Sequence, residues 1–168
     1  MARDAQDTVK LAQQYDLLAN KFKELYLSGK ERGRESMSVA LEKAREQLTE
    51  VKAFSKEHGE ELKQYLSRDL DESISFAQQF GTETKERFNP ARIGAGALSS
   101  IATILEFTGD TLHSLSVQAK KSITFKTGEI TSAGTLTCQA CSQELHLKHT
   151  GHIPPCPKCK GILFTKGY

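Results

Sequence analysis

The chain has 168 residues, of which 38% are apolar and 26% charged, and it contains no tryptophan. This length allows one or two small domains, and the composition is typical of a folded, rather polar protein. It excludes a disordered chain and a membrane-embedded one. The 23 basic and 21 acidic residues nearly balance, so the chain as a whole is not a strong polyanion binder.

The N-terminal segment is polar and carries acids at Asp4 and Asp7, unlike a secretory signal. The most apolar uncharged stretch, residues 93–105, is too short to span a bilayer. We therefore expect a cytoplasmic protein with no membrane association. Thiols stay reduced in that compartment, which favours metal binding over disulfides.

Residues 5 to about 120 show the three- and four-residue spacing of amphipathic helices. In the first helix, Leu11 and Leu17 fall off the apolar face, whose members are Val9, Ala12, Tyr15, Leu18, Ala19, Phe22, Leu25 and Tyr26. Glycines and mixed charge at residues 28–34 end this helix. The second helix has a narrow apolar seam that suits a bundle surface, a hairpin or a dimer: Leu41, Ala44, Leu48 and Val51.

Two further helices follow in the pattern. Gly59 predicts a C-terminal cap for the second helix, after which Glu60 opens the third. The apolar stripe of the third helix comprises Leu62, Leu66, Leu70, Ile74, Ala77 and Phe80. Asn89-Pro90 predicts the start of a fourth helix, which is apolar on more than one side and therefore central. Its main stripe comprises Leu98, Ile101, Leu105, Leu112 and Leu115.

After Lys121 the spacing changes to that of short β-strands, with a turn at Thr127-Gly128. The apolar residues that indicate the strands are Ile123, Phe125, Ile130, Leu136, Leu145, Leu147, Ile162 and Phe164. The predicted fold class is therefore α+β. A helical domain of about four helices, arranged as a bundle or hairpins, covers residues 1–121, and a small strand-rich module similar to rubredoxin covers residues 122–168.

Two CxxC turns in this module predict a metal site. Cys138 and Cys141 are separated by fourteen residues from Cys156 and Cys159. Each turn brings two sulfur atoms together, and the two turns supply the corners of a tetrahedron with bonds of about 2.3 Å to zinc. We predict that Gly161 closes the second knuckle in a left-handed conformation, and that the first knuckle, which lacks such a glycine, is less typical.

All four predicted ligands are cysteines, so no position stays open for water or substrate. A closed site of this kind is structural. We therefore predict one structural Zn²⁺, which would supply most of the folding free energy of a module with few apolar residues. Iron is the competing metal, because a rubredoxin site also uses four cysteines on two knuckles. Two disulfides or a redox dithiol fit the sequence less well.

Other candidate sites in the sequence are weaker. His146, His149 and His152 lie between the cysteine pairs and are interpreted as solvated. The tail also contains Lys166 and Tyr168, which with three further lysines could form a cationic rim for phosphate groups. Those three are the candidate nucleic-acid contacts: Lys148, Lys158 and Lys160.

The sequence does not predict an enzyme. A di-iron oxidase would need two Glu-x-x-His pairs in the helices. His58 and His113 are the only histidines there, and Ser55 and Asp110 occupy the positions three residues before them. The sequence also contains no phosphate-binding glycine loop, nucleophile elbow or separate Cys/His pair.

Three functions remain open at this point. The first is a non-enzymatic module that binds an unknown protein partner or has a regulatory role. The second is a factor associated with nucleic acid or a nucleoprotein, and the third, less favoured, is a rubredoxin-like electron carrier. The seam of the second helix fits both a monomer and a dimer.

The chain also resembles the bacterial zinc-ribbon-containing proteins of unknown function, the YbeL-like family. The residues that carry the resemblance are Arg68-Asp69-Leu70, Gly128-Glu129-Ile130, Gly134-Thr135-Leu136-Thr137-Cys138 and Cys156-Pro157-Lys158-Cys159. It covers nearly the whole chain and is most specific in the last forty or so residues. The resemblance implies a cytoplasmic, mainly helical protein with one zinc ribbon, and it implies no reaction.

Overall fold

The structure is a computed structural model that describes residues 5–80, 96–108 and 123–167. Over these residues the chain forms four helices followed by six short strands, which confirms the predicted α+β class. The helices are α1 (Ala5–Ser28), α2 (Arg34–Glu50), α3 (Lys56–Phe80) and α4 (Ala97–Thr108). The strands are β1 (Phe125–Lys126), β2 (Ile130–Thr131), β3 (Gly134–Cys138), β4 (Glu144–Leu147), β5 (Gly151–His152) and β6 (Leu163–Gly167).

Helix α1 contacts each of the other three helices and buries one face against them. The buried residues of this face are Leu11, Tyr15, Leu18, Ala19, Phe22 and Tyr26. The prediction was wrong in the first turns, where Leu11 is buried and Val9 is 58% exposed. Leu11 begins a series of three- and four-residue steps that continues to Tyr26, and Val9 lies outside it.

The turn between α2 and α3 lies earlier in the chain than Gly59, so the predicted cap at Gly59 is wrong. Val51 is the C-cap of α2 and is 72% exposed, and α3 begins at Lys56. Gly59 lies inside the first turns of α3, where the buried Phe54 ring packs on it. A Cβ atom at Gly59 would lie 2.7 Å from Phe54 Cε2, so the glycine permits the close approach of this ring.

The apolar stripe predicted for α3 is confirmed at Leu62, Leu66, Leu70, Ile74 and Ala77, all of which are buried. Helix α4 is buried on most of its surface, as predicted for a central helix. The predicted start at Asn89-Pro90 and the residues Leu112 and Leu115 lie outside the described residues. No helix within the described ranges is long and apolar enough to cross a lipid bilayer.

The strands form two antiparallel sheets. The larger has the order β1-β6-β3-β4, and the smaller pairs β2 with β5. Gly128, with φ 90, lies in the predicted turn between β1 and β2. The pattern did not predict β5, and Ile162 lies outside the strands and is 51% exposed.

The β2–β5 pair joins the two regions. The small core of the ribbon contains Phe125, Leu136, Cys138, Ile153, Cys156 and Phe164. Ile130 in β2 is instead fully buried in the helical core, because the β2–β5 pair packs on α1 and α3. A residue of the predicted ribbon module therefore completes the apolar core of the helices.

Candidate metal centre

Two knuckles of equivalent backbone geometry carry the four cysteines. In each, the residue after the second cysteine donates its N–H to the carbonyl of the first cysteine at 2.9 Å: Ser142 to Cys138, and Lys160 to Cys156. The first knuckle follows β3, which ends at Cys138 itself, and the second leads into β6. The larger sheet therefore positions both knuckles.

The residues in the left-handed conformation are Ser142, with φ 57, and Lys160, with φ 61. The predicted left-handed role of Gly161 is therefore wrong, and so is the prediction that the first knuckle is the less typical one. Gly161 has a different role. A Cβ atom there would lie 3.0 Å from Cys138 Sγ and 3.1 Å from Cys159 Sγ, so its absence leaves room for the sulfur atoms.

The four sulfur atoms all lie within 4.8 Å of one another. The Cys138 and Cys159 sulfurs are 3.6 Å apart, as are those of Cys141 and Cys156. Bonds of about 2.3 Å to a tetrahedral metal imply sulfur–sulfur edges of about 3.8 Å, so the cluster has the size of a four-thiolate site. Among the described residues, this is the one cluster of three or more potential ligands close enough to hold a metal ion.

The thiols influence one another's ionisation. The Cys159 N–H, followed by other donors, lowers the pKa of Cys156 to about 6. The Gly161 N–H favours the Cys159 thiolate, but the thiols of Cys141, Cys138 and Cys156 together with burial raise the pKa of Cys159 to about 12. Four adjacent thiols do not all ionise unless a positive charge lies among them. A divalent cation would supply that charge, so the donor set suits a thiophilic metal.

The three histidines between the knuckles are not part of the sulfur cluster. His146 is exposed, and its Nδ1 lies 3.0 Å from the Thr135 hydroxyl. His149 is also exposed. His152 is half-buried in β5, and its Nδ1 lies 2.8 Å from the Gly128 carbonyl oxygen. The solvated interpretation therefore holds for His146 and His149 and not for His152.

The lysines of the predicted cationic rim separate into two groups. Lys148, Lys158 and Lys160 are exposed, and none of them forms an ion pair with another described residue. Lys166 is buried in the contact between the ribbon and the helices, which rules it out as a phosphate contact on the surface. Tyr168 lies outside the described residues.

A buried polar network connects the ribbon to the helices, and sequence reasoning did not predict it. Asp69 of α3 is completely buried. Its Oδ2 accepts hydrogen bonds of 2.8 Å from the Tyr15 hydroxyl, the Thr131 hydroxyl and the Ser132 N–H, and Lys166 Nζ lies 3.4 Å away. A carboxylate with this many donors is well satisfied although it is removed from water.

Lys166 has polar partners in the same network. Its Nζ donates to the Thr131 hydroxyl at 2.9 Å, to the Ser132 carbonyl at 3.0 Å and to the Ser132 hydroxyl at 2.7 Å. Burial lowers the pKa of Lys166, although Asp69 opposes this shift. Burial alone would raise the pKa of Asp69, but Lys166, Arg68, the Ser132 N–H and the Tyr15 hydroxyl hold it below its usual value. With Nζ and Oδ2 3.4 Å apart and both side chains fully buried, Lys166 and Asp69 form a buried ion pair.

Arg68 forms the outer part of this interface. Its guanidinium lies over the Phe125 ring, 4.1 Å from the ring centroid, donates to the Ile130 carbonyl at 2.9 Å and pairs with Glu129. Three charged residues on which the family resemblance rested, Arg68, Asp69 and Glu129, thus meet where the ribbon contacts the helices. One feature of the sequence could have indicated this buried network: Asp69 is a charged residue three positions after Leu66, within the apolar stripe of α3.

The comparisons with curated proteins and with solved structures gave no match. The comparison with protein families matches residues 26–167 to a family described as a zinc-ribbon containing domain. The match spans α2, α3, α4 and the ribbon with its four cysteines, and it begins within α1. It confirms the predicted zinc-ribbon family, while the narrower YbeL-like assignment stays a prediction. The chain belongs to the zinc-ribbon containing domain family.

Proposed function

We propose that this chain is a non-enzymatic protein-interaction or regulatory module, with one structural zinc ion bound by Cys138, Cys141, Cys156 and Cys159. The observation that carries the proposal is the cluster of four sulfur atoms within 4.8 Å of one another. Because all four ligands come from the protein, the metal would have no open position for a substrate or water. Membership of a zinc-ribbon family supports zinc over iron.

Exposed apolar residues beside the second knuckle support a role in protein contact. Ile162 and Leu163 are 51% and 41% exposed, and they directly follow Gly161. A rigid metal knuckle would hold these side chains in fixed positions, which lowers the entropy lost when a partner binds. The ribbon would then present a preformed contact surface, with the helices behind it.

Metal analysis of the full-length protein tests the metal assignment. We expect a colourless preparation with one zinc per chain by elemental mass spectrometry. Cys156→Ser should lose the metal, and Lys158→Ala, an exposed change between the second pair of cysteines, should keep it. A red preparation with visible absorption and one iron would replace this proposal with the electron carrier.

Crosslinking in cells followed by mass spectrometry tests the interaction role. We expect the wild-type chain to capture a reproducible protein partner that Cys156→Ser fails to capture. Ile162→Asp should weaken capture while the metal stays bound, and Val51→Asp, a change at an exposed residue of the helical region, should not. If wild type captures no reproducible partner, the interaction role is wrong.

The exposed and unpaired state of Lys148, Lys158 and Lys160 among the described residues favours nucleic-acid association as the second candidate. It predicts binding to a mixed oligonucleotide pool that weakens steeply with salt. Changing these three lysines to Glu should abolish the binding. A matched set of changes at the exposed Lys10, Lys43 and Lys52 alters the net charge equally and should not. Absent or salt-independent binding would eliminate this candidate.

A further inference from the structure

We propose that metal binding in the ribbon is coupled to docking of the ribbon on the helices through strand β6, so that metal loss opens the buried interface around Asp69. The inference rests on the metal site proposed above and adds a conformational consequence to it. The inference depends on two features. Strand β6 contacts both the cysteine knuckles and the interface around Asp69, and this interface is stable only when the ribbon is fully docked or fully undocked.

One end of β6 is held by the knuckles. Gln139, which lies between the first two cysteines, donates its N–H to the Leu163 carbonyl at 3.0 Å. Phe164 pairs with Cys138 across the β3–β6 ladder. Cys156 donates its N–H to the Gly161 carbonyl, two residues before the strand begins. The position of β6 therefore depends on the backbone of both knuckles.

The other end of β6 lies in the interface with α3. Side chains two residues apart share one face of a strand, so Phe164 and Lys166 point to the same side, and both are buried. Phe164 packs in the ribbon core, and Lys166 reaches Asp69. If β6 changed its register or became disordered, Lys166 would therefore move away from the Asp69 carboxylate.

The interface tolerates no half-docked position, because Asp69 and Lys166 are both withdrawn from water. Each charge is stable beside its partners or fully hydrated, and an unpaired buried charge is strongly unfavourable. Of the hydrogen-bond donors to Asp69 Oδ2, Thr131, Ser132 and Lys166 belong to the ribbon, so undocking removes them together. The contact thus has two states, docked and open.

Undocking of the ribbon would also break contacts with α1 and affect the start of α4. Ile130 would leave the helical core, where it is fully buried. On α1, Asp16 Oδ1 accepts from the Thr150 hydroxyl of the ribbon at 2.6 Å and from the Ala97 N–H at the start of α4 at 2.8 Å. The ribbon therefore contacts the carboxylate that caps α4, and its departure would loosen α1, α3 and α4.

Linkage makes the coupling reciprocal: if the metal stabilises the docked state, the interface must strengthen metal binding by the same factor. Two measurements on the full chain test this. In hydrogen exchange by mass spectrometry, removal of zinc by a chelator should speed exchange in α3 peptides around Asp69. Peptides of α2 around Ala44, far from the ribbon contacts, should change little.

The second measurement is zinc affinity by competition with a colorimetric chelator. Lys166→Met should weaken zinc binding by about 5- to 150-fold, the usual range for coupled sites. Lys158→Met removes an exposed lysine next to the ligands and should leave the affinity unchanged. If Lys166→Met does not fold, Tyr15→Phe removes one donor to Asp69 from the helical side and should weaken zinc binding in the same direction.

The outcomes separate the two proposals. If the wild-type protein binds no zinc, the metal site itself is wrong. If it binds one zinc, but chelation leaves exchange in α3 unchanged, the coupling is wrong and the site stands. Equal zinc affinities of wild type, Lys166→Met and Tyr15→Phe would also overturn the coupling.

Discussion

The helical region and the ribbon are stabilised in different ways. Among the described residues, the helical core contains 22 buried residues, whereas the ribbon core contains six, two of which are metal-ligand candidates. Burying a large apolar side chain contributes about 1.5–3 kcal/mol, so the helices have ample apolar burial and the ribbon does not. We therefore expect the ribbon to depend on metal ligation, which contributes on the order of 10 kcal/mol in small zinc modules.

The contact between the helical region and the ribbon is stabilised neither by apolar burial alone nor by metal ligation. Ile130 contributes apolar burial, and Asp69 and Lys166 form a buried ion pair in the same interface. A buried ion pair adds less net stability than its Coulomb energy suggests, because both charges lose their hydration. The ion pair does fix the position of the ribbon relative to the helices. We therefore expect that substitutions in the helical region and in the ribbon differ in their effect on stability, and that substitutions at the interface destabilise both regions.

The largest effect is expected from Cys156→Ser, which separates the two regions most clearly. Loss of one thiolate removes most of the metal contribution, on the order of 10 kcal/mol, and the ribbon should unfold. Most helical circular dichroism should persist at a lower unfolding temperature, because the docking contacts are lost. Lys158→Ala is the control and should behave as wild type. A variant that keeps slow hydrogen exchange in β3 and β6 would show that the ribbon does not need the metal.

Lys166→Met tests the interface. Asp69 would lose the fully buried cation next to its Oδ2 and keep only Arg68, whose Nη2 lies 3.3 Å from Oδ1, so the change should cost up to about 3–5 kcal/mol in the free energy of unfolding measured with urea. Combining it with Asp69→Asn should restore part of the loss, because the buried carboxylate that lost its Lys166 partner is then removed as well. If the double variant is as unstable as the sum of the single changes, the two side chains do not act as a pair.

Gly59→Ala tests packing within the helical region alone. Alanine favours a helix by about 1 kcal/mol over glycine. The new Cβ atom would lie 2.7 Å from Phe54 Cε2, and overpacking costs about 1–3 kcal/mol, so a net destabilisation of about 1 kcal/mol is expected. In Gly167→Ala nothing lies within 4 Å of the new atom, and unfolding should change little. A more stable Gly59→Ala would show that the Phe54 ring moves away easily.

The smallest effect concerns ion pairs on the surface of α2 and α3. A hydrogen bond from Arg45, followed by one from Lys63, lowers the pKa of Glu42 to about 2. A lowered folded-state pKa means that Glu42 stabilises the fold above its ordinary pKa of 4.5, and that this stabilisation is lost as the pH falls toward 2. Glu42→Gln should therefore lower the free energy of unfolding by up to about 1 kcal/mol at pH 7, because the pair is partly exposed.

The difference between wild type and Glu42→Gln should shrink steadily between pH 4.5 and 2. Acid also releases a thiolate-bound metal, but it does so in both proteins, so the difference isolates Glu42. Thermal unfolding followed by circular dichroism measures it, and Glu50→Gln, at an exposed residue of the same helix, is the control. A difference that is constant over this pH range would exclude the proposed role of Glu42.

The sequence predicted those features of the fold and of the site that depend on the local spacing of residues. The CxxC turns placed four sulfurs together, and helical periodicity identified most of the buried residues of α3 and α4. The pairing of Asp69 with Lys166 was not predictable, because the two residues are 97 positions apart. A lysine also looks the same in sequence whether it is buried or exposed.

The remaining errors have local causes. Gly59 was interpreted as a cap, although its role is to accommodate the Phe54 ring, a contact that no spacing rule describes. The left-handed residues of the two knuckles are Ser142 and Lys160, while glycine is the residue normally associated with that conformation. The strand β5 has two residues, too few for an alternating pattern to show.

The position of Ile130 in the helical core has a consequence for the order of folding. The core of the helical region also includes Ile130, which lies 64 positions after Leu66 of α3. Contacts this distant in sequence slow folding, because a long loop must close first. We therefore expect the helical core to be completed only when the ribbon docks, and Asp69 to stay hydrated until then.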